Sequence, residues 1–341
     1  MARSDGVVVA CHGFIGNREE LGRTRGIVVE AGADNARVIA ANFDLHGKQL
    51  ISWIRGEFAV VIVDVRRRRA LVARDPVGCR PLYLLRCGSR VLIASEIRQV
   101  VAGGNRPATM NRRAFAHHLV FEPTVGAETL VEGVECVMPG EIYAFELGGA
   151  APALVREEYW RLADEVQTSV RHPDHWIEEL ADRIRQAVRR WLPDHPSAIT
   201  LSGGLDSSAL WAEVVALRRR GLVAADRVRP VSVYYPGFPC DEQRYVEQTL
   251  GRTGDCGLTV DGTKESATTL RNALLDTIDT VPFPTAYSVY MMAECVAGDR
   301  RRTVLTGHFA DQLFDIRPQR ASQRLARSAR LLLGATIGSR L

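Results

Sequence analysis

The chain has 341 residues, 46% hydrophobic and 25% charged, which is enough apolar material for two cores of ordinary size. A net charge of +4, from 44 basic against 40 acidic residues, is too mild to call for a nucleic-acid partner, and the arginine runs at 66–69, 218–220 and 300–302 read as solvated turns and helix ends. No apolar run approaches the roughly 18 residues of a membrane span, and the start is no secretory signal, so a cytoplasmic protein without membrane association is expected. The seven cysteines include no CxxC pair and no histidine at ligand spacing, which excludes a zinc site and leaves reduced thiols.

Up to about residue 150, short apolar or alternating runs bounded by Gly, Pro, Asp or Arg predict strands at 7–10, 57–64, 70–73, 82–86 and 91–94. Residues 58–63 are all apolar, as in a strand buried on both faces. Helices are expected at 36–54 and 112–119. This half reads as a layered, β-rich domain over 1–150.

After Gly148-Gly149-Ala150-Ala151-Pro152 the pattern changes. Trp176, Ile177, Leu180, Ile184, Val188 and Trp191 fall on one face of an amphipathic helix over 175–191, ended by Pro193 and Pro196. Strand and helix signals then alternate: strands at 198–201, 231–235, 258–260 and 303–306, helices at 207–219, 242–250, 266–280 and 285–297. Such alternation marks a parallel sheet, so 151–341 is expected to be an α/β domain. Residues 317–341 carry six arginines, no acid, and Leu325, Leu331, Leu332 and Leu333, which predicts an exposed amphipathic helix or a segment separated from its partner.

The segment with most chemical content is Ser202-Gly203-Gly204-Leu205-Asp206-Ser207-Ser208, between a predicted strand and a helix. The glycines allow a tight turn that brings backbone N–H groups near an anion. Ser207 and Ser208 fall at the helix start, where unpaired N–H groups and the positive dipole end attract phosphate. Ser202 and Ser208 add hydroxyl donors. Asp206 would repel phosphate unless Mg²⁺ bridges the two. The Walker pattern GxxxxGK[ST] is absent.

This loop resembles the pyrophosphate loop of the asparagine synthetase family, which includes the β-lactam synthetases and lasso-peptide cyclases. Thr306-Gly307-His308-Phe309-Ala310-Asp311-Gln312-Leu313-Phe314 is similar to the family's second loop, SGxGxDELF. Residues 55–64, 73–83, 94–97 and 139–143 resemble runs of its glutaminase domain, so the likeness covers about 7–315. The resemblance implies an α/β protein: a degenerate Ntn-type glutaminase-like layered β domain, then a PP-loop ATP-pyrophosphatase domain with a parallel sheet. It further implies ATP and Mg²⁺ as cofactors, with Asp206 and Asp311 on one metal. Ser202, Gly203, Gly204, Ser207 and Ser208 would lie around pyrophosphate, and backbone near Leu201, Val233 and Gly307 would hold adenine. The implied activity is an AMP-forming ligase that joins a small-molecule or peptide carboxylate to an amine, asparagine from aspartate being the generic case. A specialised amide-forming relative, such as a lasso-peptide or β-lactam cyclase, and a non-catalytic nucleotide-binding member are the alternatives. A pyrophosphatase acting on tRNA is disfavoured by the charge balance.

Several residues depart from the family pattern. The family's glutaminase nucleophile is an N-terminal cysteine; here the first cysteine is Cys11, within a predicted strand, and His12-Gly13-Phe14 replaces Asn-Gly-Glu. A first domain without glutaminase activity is therefore expected. His308 stands near the position of a family acid and serves either as general base toward the amine, with an ordinary pKa of about 6.5, or only to close the pocket. The family domain continues well past the second loop and supplies a lysine with no equivalent here. A truncated second domain is the expectation: a fragment of a longer protein, one half of a split gene completed by a second polypeptide, or a reduced relative.

Overall fold

A computed structural model describes residues 1–4, 6–29, 32–105, 107–120, 126–149, 152–165, 173–193, 195–264, 286–307 and 310. The described residues of 1–193 and 262–294 form one compact unit, and those of 194–261 and from 295 onward form another.

In the first unit, strands β1 (Ala2–Ser4), β2 (Val7–Ile15), β3 (Gly56–Asp64), β4 (Arg69–Arg74), β8 (Glu141–Glu146) and β9 (Leu154–Glu158) make a six-stranded antiparallel sheet in that spatial order. A second antiparallel sheet runs β6 (Arg90–Ala94), β5 (Tyr83–Cys87), β7 (Val134–Cys136). Side chains alternate between faces with period two. Phe58, Val60, Ile62 and Leu71 therefore pack with Ile39 and Phe43 of the helix Asn35–His46, while Ala59, Ala70, Val72, Tyr143 and Phe145 meet Leu84 of the second sheet and Leu82 just before it. The outer face of that sheet carries Tyr83 and Leu85 against Ile97 and Val100 of the helix Ile97–Gly103. The result is helix–sheet–sheet–helix layering, and it explains the uninterrupted apolar run at 58–63: β3 has a core on each side.

The helix expected over 36–54 is two, Asn35–His46 and Gln49–Trp53, because Gly47 at φ +55° caps the first through its N–H to Phe43 O at 2.7 Å. The amphipathic helix spans Pro173–Trp191, and its last turn packs on this unit, with Trp191 5.5 Å from Phe14 between ring centroids.

In the second unit, β10 (Ser197–Thr200), β11 (Val228–Tyr234), β12 (Leu258–Asp261) and β13 (Val304–Leu305) form a parallel sheet in the order β12-β11-β10-β13. The helices Leu205–Arg219 and Gln243–Thr253 provide the crossovers that parallel strands require. Trp211 and Val214 of the first helix are fully buried, as are Ala198, Ile199 and Val231 of the sheet. The helix expected over 266–280 lies outside the described residues. Among the described residues no helix is long and apolar enough to cross a membrane.

Candidate functional site

Chain order runs β10, β11, β12 to one side of β10 and then returns with β13 on its other side. Open α/β sheets bind ligands outside the strand carboxyl ends at such a switch. The residues following β10 and β13 are the two loops singled out in the sequence.

Leu201 is held at the end of β10: its N–H donates to Val231 O at 2.9 Å and its carbonyl accepts from Ser232 Oγ at 2.6 Å. Ser232 is a fixing residue that the sequence signalled only as a hydroxyl within an apolar strand. Val233 follows it, half-buried and paired with Val260. From Leu201 the chain turns through Gly203 at φ +83°. A β-carbon there would come 2.5 Å from Tyr245 Cβ and 3.0 Å from Val246 N, so only glycine satisfies both the backbone angle and the contact. Sequence reading missed Tyr245 and Val246, because nothing in the sequence couples the helix 243–253 to this turn.

Gly204 is the N-cap of the helix Leu205–Arg219 and has no side chain to bond its first N–H groups. Those donors are left for an incoming acceptor, as at anion-binding helix termini. The loop is braced from within. Ser207 Oγ accepts from Ser202 N at 3.2 Å and lies 3.3 Å from Gly204 O and 3.1 Å from Ser202 Oγ, while Gly204 N donates to Ser202 Oγ at 3.4 Å. The Ser207 hydroxyl therefore shapes the turn. Ser208 Oγ is buried with no hydrogen-bond partner among the described residues.

Asp206 occupies the second helical position, half-buried. Gly307, beyond β13, lies against it: a β-carbon on Gly307 would be 3.6 Å from Asp206 Cβ and 3.7 Å from Ser207 N. The two loops thus meet at the first turn of the helix. Asp311 and His308 lie outside the described residues. No cluster of three or more potential metal ligands occurs among the described residues.

The first unit holds Cys11 on β2 opposite Val60. Burial, then the charge of Asp34, pushes its thiol up to about 11, so the thiolate needed for nucleophilic attack is scarce at neutral pH. Asp75 is fully buried and accepts from the N–H groups of Val77, Cys79 and Arg80 at 3.0–3.1 Å, which fixes the turn after β4. A cavity of about 690 Å³ lies beside Asn17, Trp53, Arg55, Trp160 and Arg190, and Cys11 does not line it.

Comparison with known proteins accounts for both units. The glutamine amidotransferase domain family matches residues 1–160, and the asparagine synthase family matches residues 179–335. The chain belongs to the asparagine synthetase family. Among similar proteins are the amidase chyE of Penicillium rubens, 26% identical over 83% of this chain and 43% of its own length, and the amidase chry2 of Gibberella zeae, 29% identical over the same shares. A glutamine-hydrolysing asparagine synthetase of Bacillus subtilis is 27% identical over 62% of this chain and 34% of its own length. The chain therefore spans less than half the length of these curated relatives. As an asparagine synthetase family member it has the expected arrangement: a glutamine amidotransferase-like domain of antiparallel sheets, then an asparagine synthase domain on a parallel sheet.

Proposed function

We infer that this chain carries the nucleotide-activating site of an ATP-dependent, AMP- and pyrophosphate-forming ligase that joins a carboxylate to an amine. The observation that carries the reading is the uncapped start of the helix Leu205–Arg219, behind a turn that only Gly203 can make and against Gly307. The free N–H groups at 205–207 would hold the β- and γ-phosphates, and Ser208 Oγ, buried with no partner among the described residues, would be a further donor. Backbone near Leu201, Val233 and Gly307 would take the adenine.

The carboxylate oxygen attacks the α-phosphorus, the bond to the bridging oxygen breaks, and pyrophosphate leaves with its electron pair. The amine then attacks the acyl carbon of the mixed anhydride, releasing AMP. Positioning and charge neutralisation are the protein's contributions to such chemistry. Mg²⁺ held by Asp206 and Asp311 would neutralise phosphate charge and orient the leaving group. His308 would take the proton from the amine.

The generic substrate pair is aspartate with ammonia. A specialised amide-forming reaction is a second reading, favoured by His308, Phe309 and Gln312, which depart from the family's second-loop pattern. The test is pyrophosphate exchange into ATP with a panel of amino-acid and peptide carboxylates. AMP and pyrophosphate as products, abolished in Asp206→Asn, support the ligase. MgATP binding without turnover across the panel would point to a non-catalytic member, and absence of nucleotide binding would refute the site.

A further inference from the structure

Gly203 packs on the backbone of Tyr245 and Val246, which brings the first turn of the helix Gln243–Thr253 against the proposed phosphate loop. In that turn Arg244 lies over the Tyr245 ring, its guanidinium carbon 4.4 Å from the ring centroid, and donates to Tyr245 Oη. Stacking of this kind occupies the face of a guanidinium and leaves the N–H groups not bonded to Tyr245 Oη for an acceptor.

Arg244 has no carboxylate partner among the described residues. Glu247, one helical turn on, accepts from Gln243 Nε2 at 2.7 Å. Asp241 Oδ1 accepts from the N–H groups of Tyr235 at 3.1 Å and Gln243 at 3.3 Å. Arg244 also occupies the second position of its helix, at the positive end of the helix dipole, where an anion is stabilised and a cation is not. A guanidinium held on an aromatic ring, with no carboxylate bonded to it among the described residues, beside the uncapped helix start at Leu205 is an arrangement that a polyanion completes.

We propose that Arg244 is a nucleotide-binding residue whose guanidinium holds the pyrophosphate end of ATP, with Tyr245 as its positioning residue. The inference rests on the reading of 202–208 as the phosphate loop. It names a cation for the developing pyrophosphate charge that is supplied from within the described part of the domain. AMP lacks the pyrophosphate end, so its binding should not depend on Arg244.

Titration calorimetry on the full chain with three probes, MgATP, inorganic pyrophosphate and AMP, tests it. Arg244 is exposed, so Arg244→Met and Arg244→Lys should keep the fold, which circular dichroism verifies. The expected result is a loss of about tenfold or more in affinity for pyrophosphate and MgATP in Arg244→Met, with AMP affinity unchanged. Arg244→Lys should recover part of the loss, and Tyr245→Leu should show an intermediate one. Equal affinity of wild type and Arg244→Met for all three probes overturns the role of Arg244 and leaves the phosphate loop standing. A wild-type chain that binds neither MgATP nor pyrophosphate overturns the loop reading itself.

Discussion

Gly307 sits on the first turn of the helix that begins at Leu205, with its would-be β-carbon 3.6 Å from Asp206 Cβ. The contact brings the end of β13 to the residue that would hold a metal, and Asp206, in the first turn of the helix, would lie close to any phosphate bound at the helix start. The sign of its effect then depends on the ion. Without a divalent cation the carboxylate repels phosphate; with one it attracts through the metal. Asp206→Asn should therefore bind ATP more tightly than wild type in EDTA, by about tenfold, and should lose most of the gain that added Mg²⁺ gives wild type. Fluorescent-nucleotide titrations with and without Mg²⁺ measure both. Identical metal dependence in the two proteins would remove Asp206 from the site.

The two loop glycines should respond differently to the same methyl group. Gly203→Ala forces an alanine to φ +83° and drives its β-carbon into Tyr245, at a cost of roughly 1–3 kcal/mol for the backbone strain alone. Thermal unfolding should show that loss, and nucleotide binding should fall with it. At Gly307 the added methyl meets only ordinary contacts at 3.6–3.7 Å, so Gly307→Ala should keep its unfolding temperature. If Gly203→Ala unfolds at the wild-type temperature, the loop is not as tightly packed as its contacts indicate.

The two adjacent serines make a second contrast. Ser207 Oγ bonds within the turn to Ser202 N and Gly204 O, so Ser207→Ala should cost about 1 kcal/mol of stability before any ligand is added. Ser208 Oγ is buried with no partner among the described residues, so Ser208→Ala should be neutral or slightly stabilising in the free protein and should weaken ATP binding. Denaturant titration and nucleotide titration separate the two effects, and a destabilised Ser208→Ala would reveal a hidden partner for that hydroxyl.

Much of this was legible in the residues. Strand periodicity gave β3 as doubly buried, and the structure supplies its two cores; βα alternation gave the parallel sheet. The Gly-Gly turn before a helix was readable because glycine, strand end and helix start are neighbours in the chain. Contacts between distant segments were not. Tyr245 against Gly203 and Ser232 bonding Leu201 O come from strand order, which a local pattern does not encode. The break at Gly47 was hidden because apolar residues continue in helical spacing on both sides of it. The metal pair Asp206 and Asp311 remains a reading from resemblance, since Asp311 lies outside the described residues.

Cys11 allows a prediction in both chemistry and pH. Its thiol lies half-buried on β2, and burial followed by the charge of Asp34 raises it from 9.0 to about 11. At neutral pH it is a protonated thiol and a poor nucleophile, so glutamate release from glutamine should not differ between wild type and Cys11→Ala. Alkylation by iodoacetamide at pH 8, followed by peptide mapping, should label the exposed Cys240 and Cys256 before Cys11. The linkage follows the same shift. In the unfolded chain the thiol ionises near 9, whereas in the folded chain it keeps its proton to about 11, so between these values the folded state binds more protons. Stability is therefore fully retained below about pH 9 and falls as pH rises through 11. Unfolding temperatures measured from pH 8 to 11 should decline more steeply in wild type than in Cys11→Ala. Parallel curves, or glutamate release that depends on Cys11, would mean that this thiol is exposed and ionised in solution.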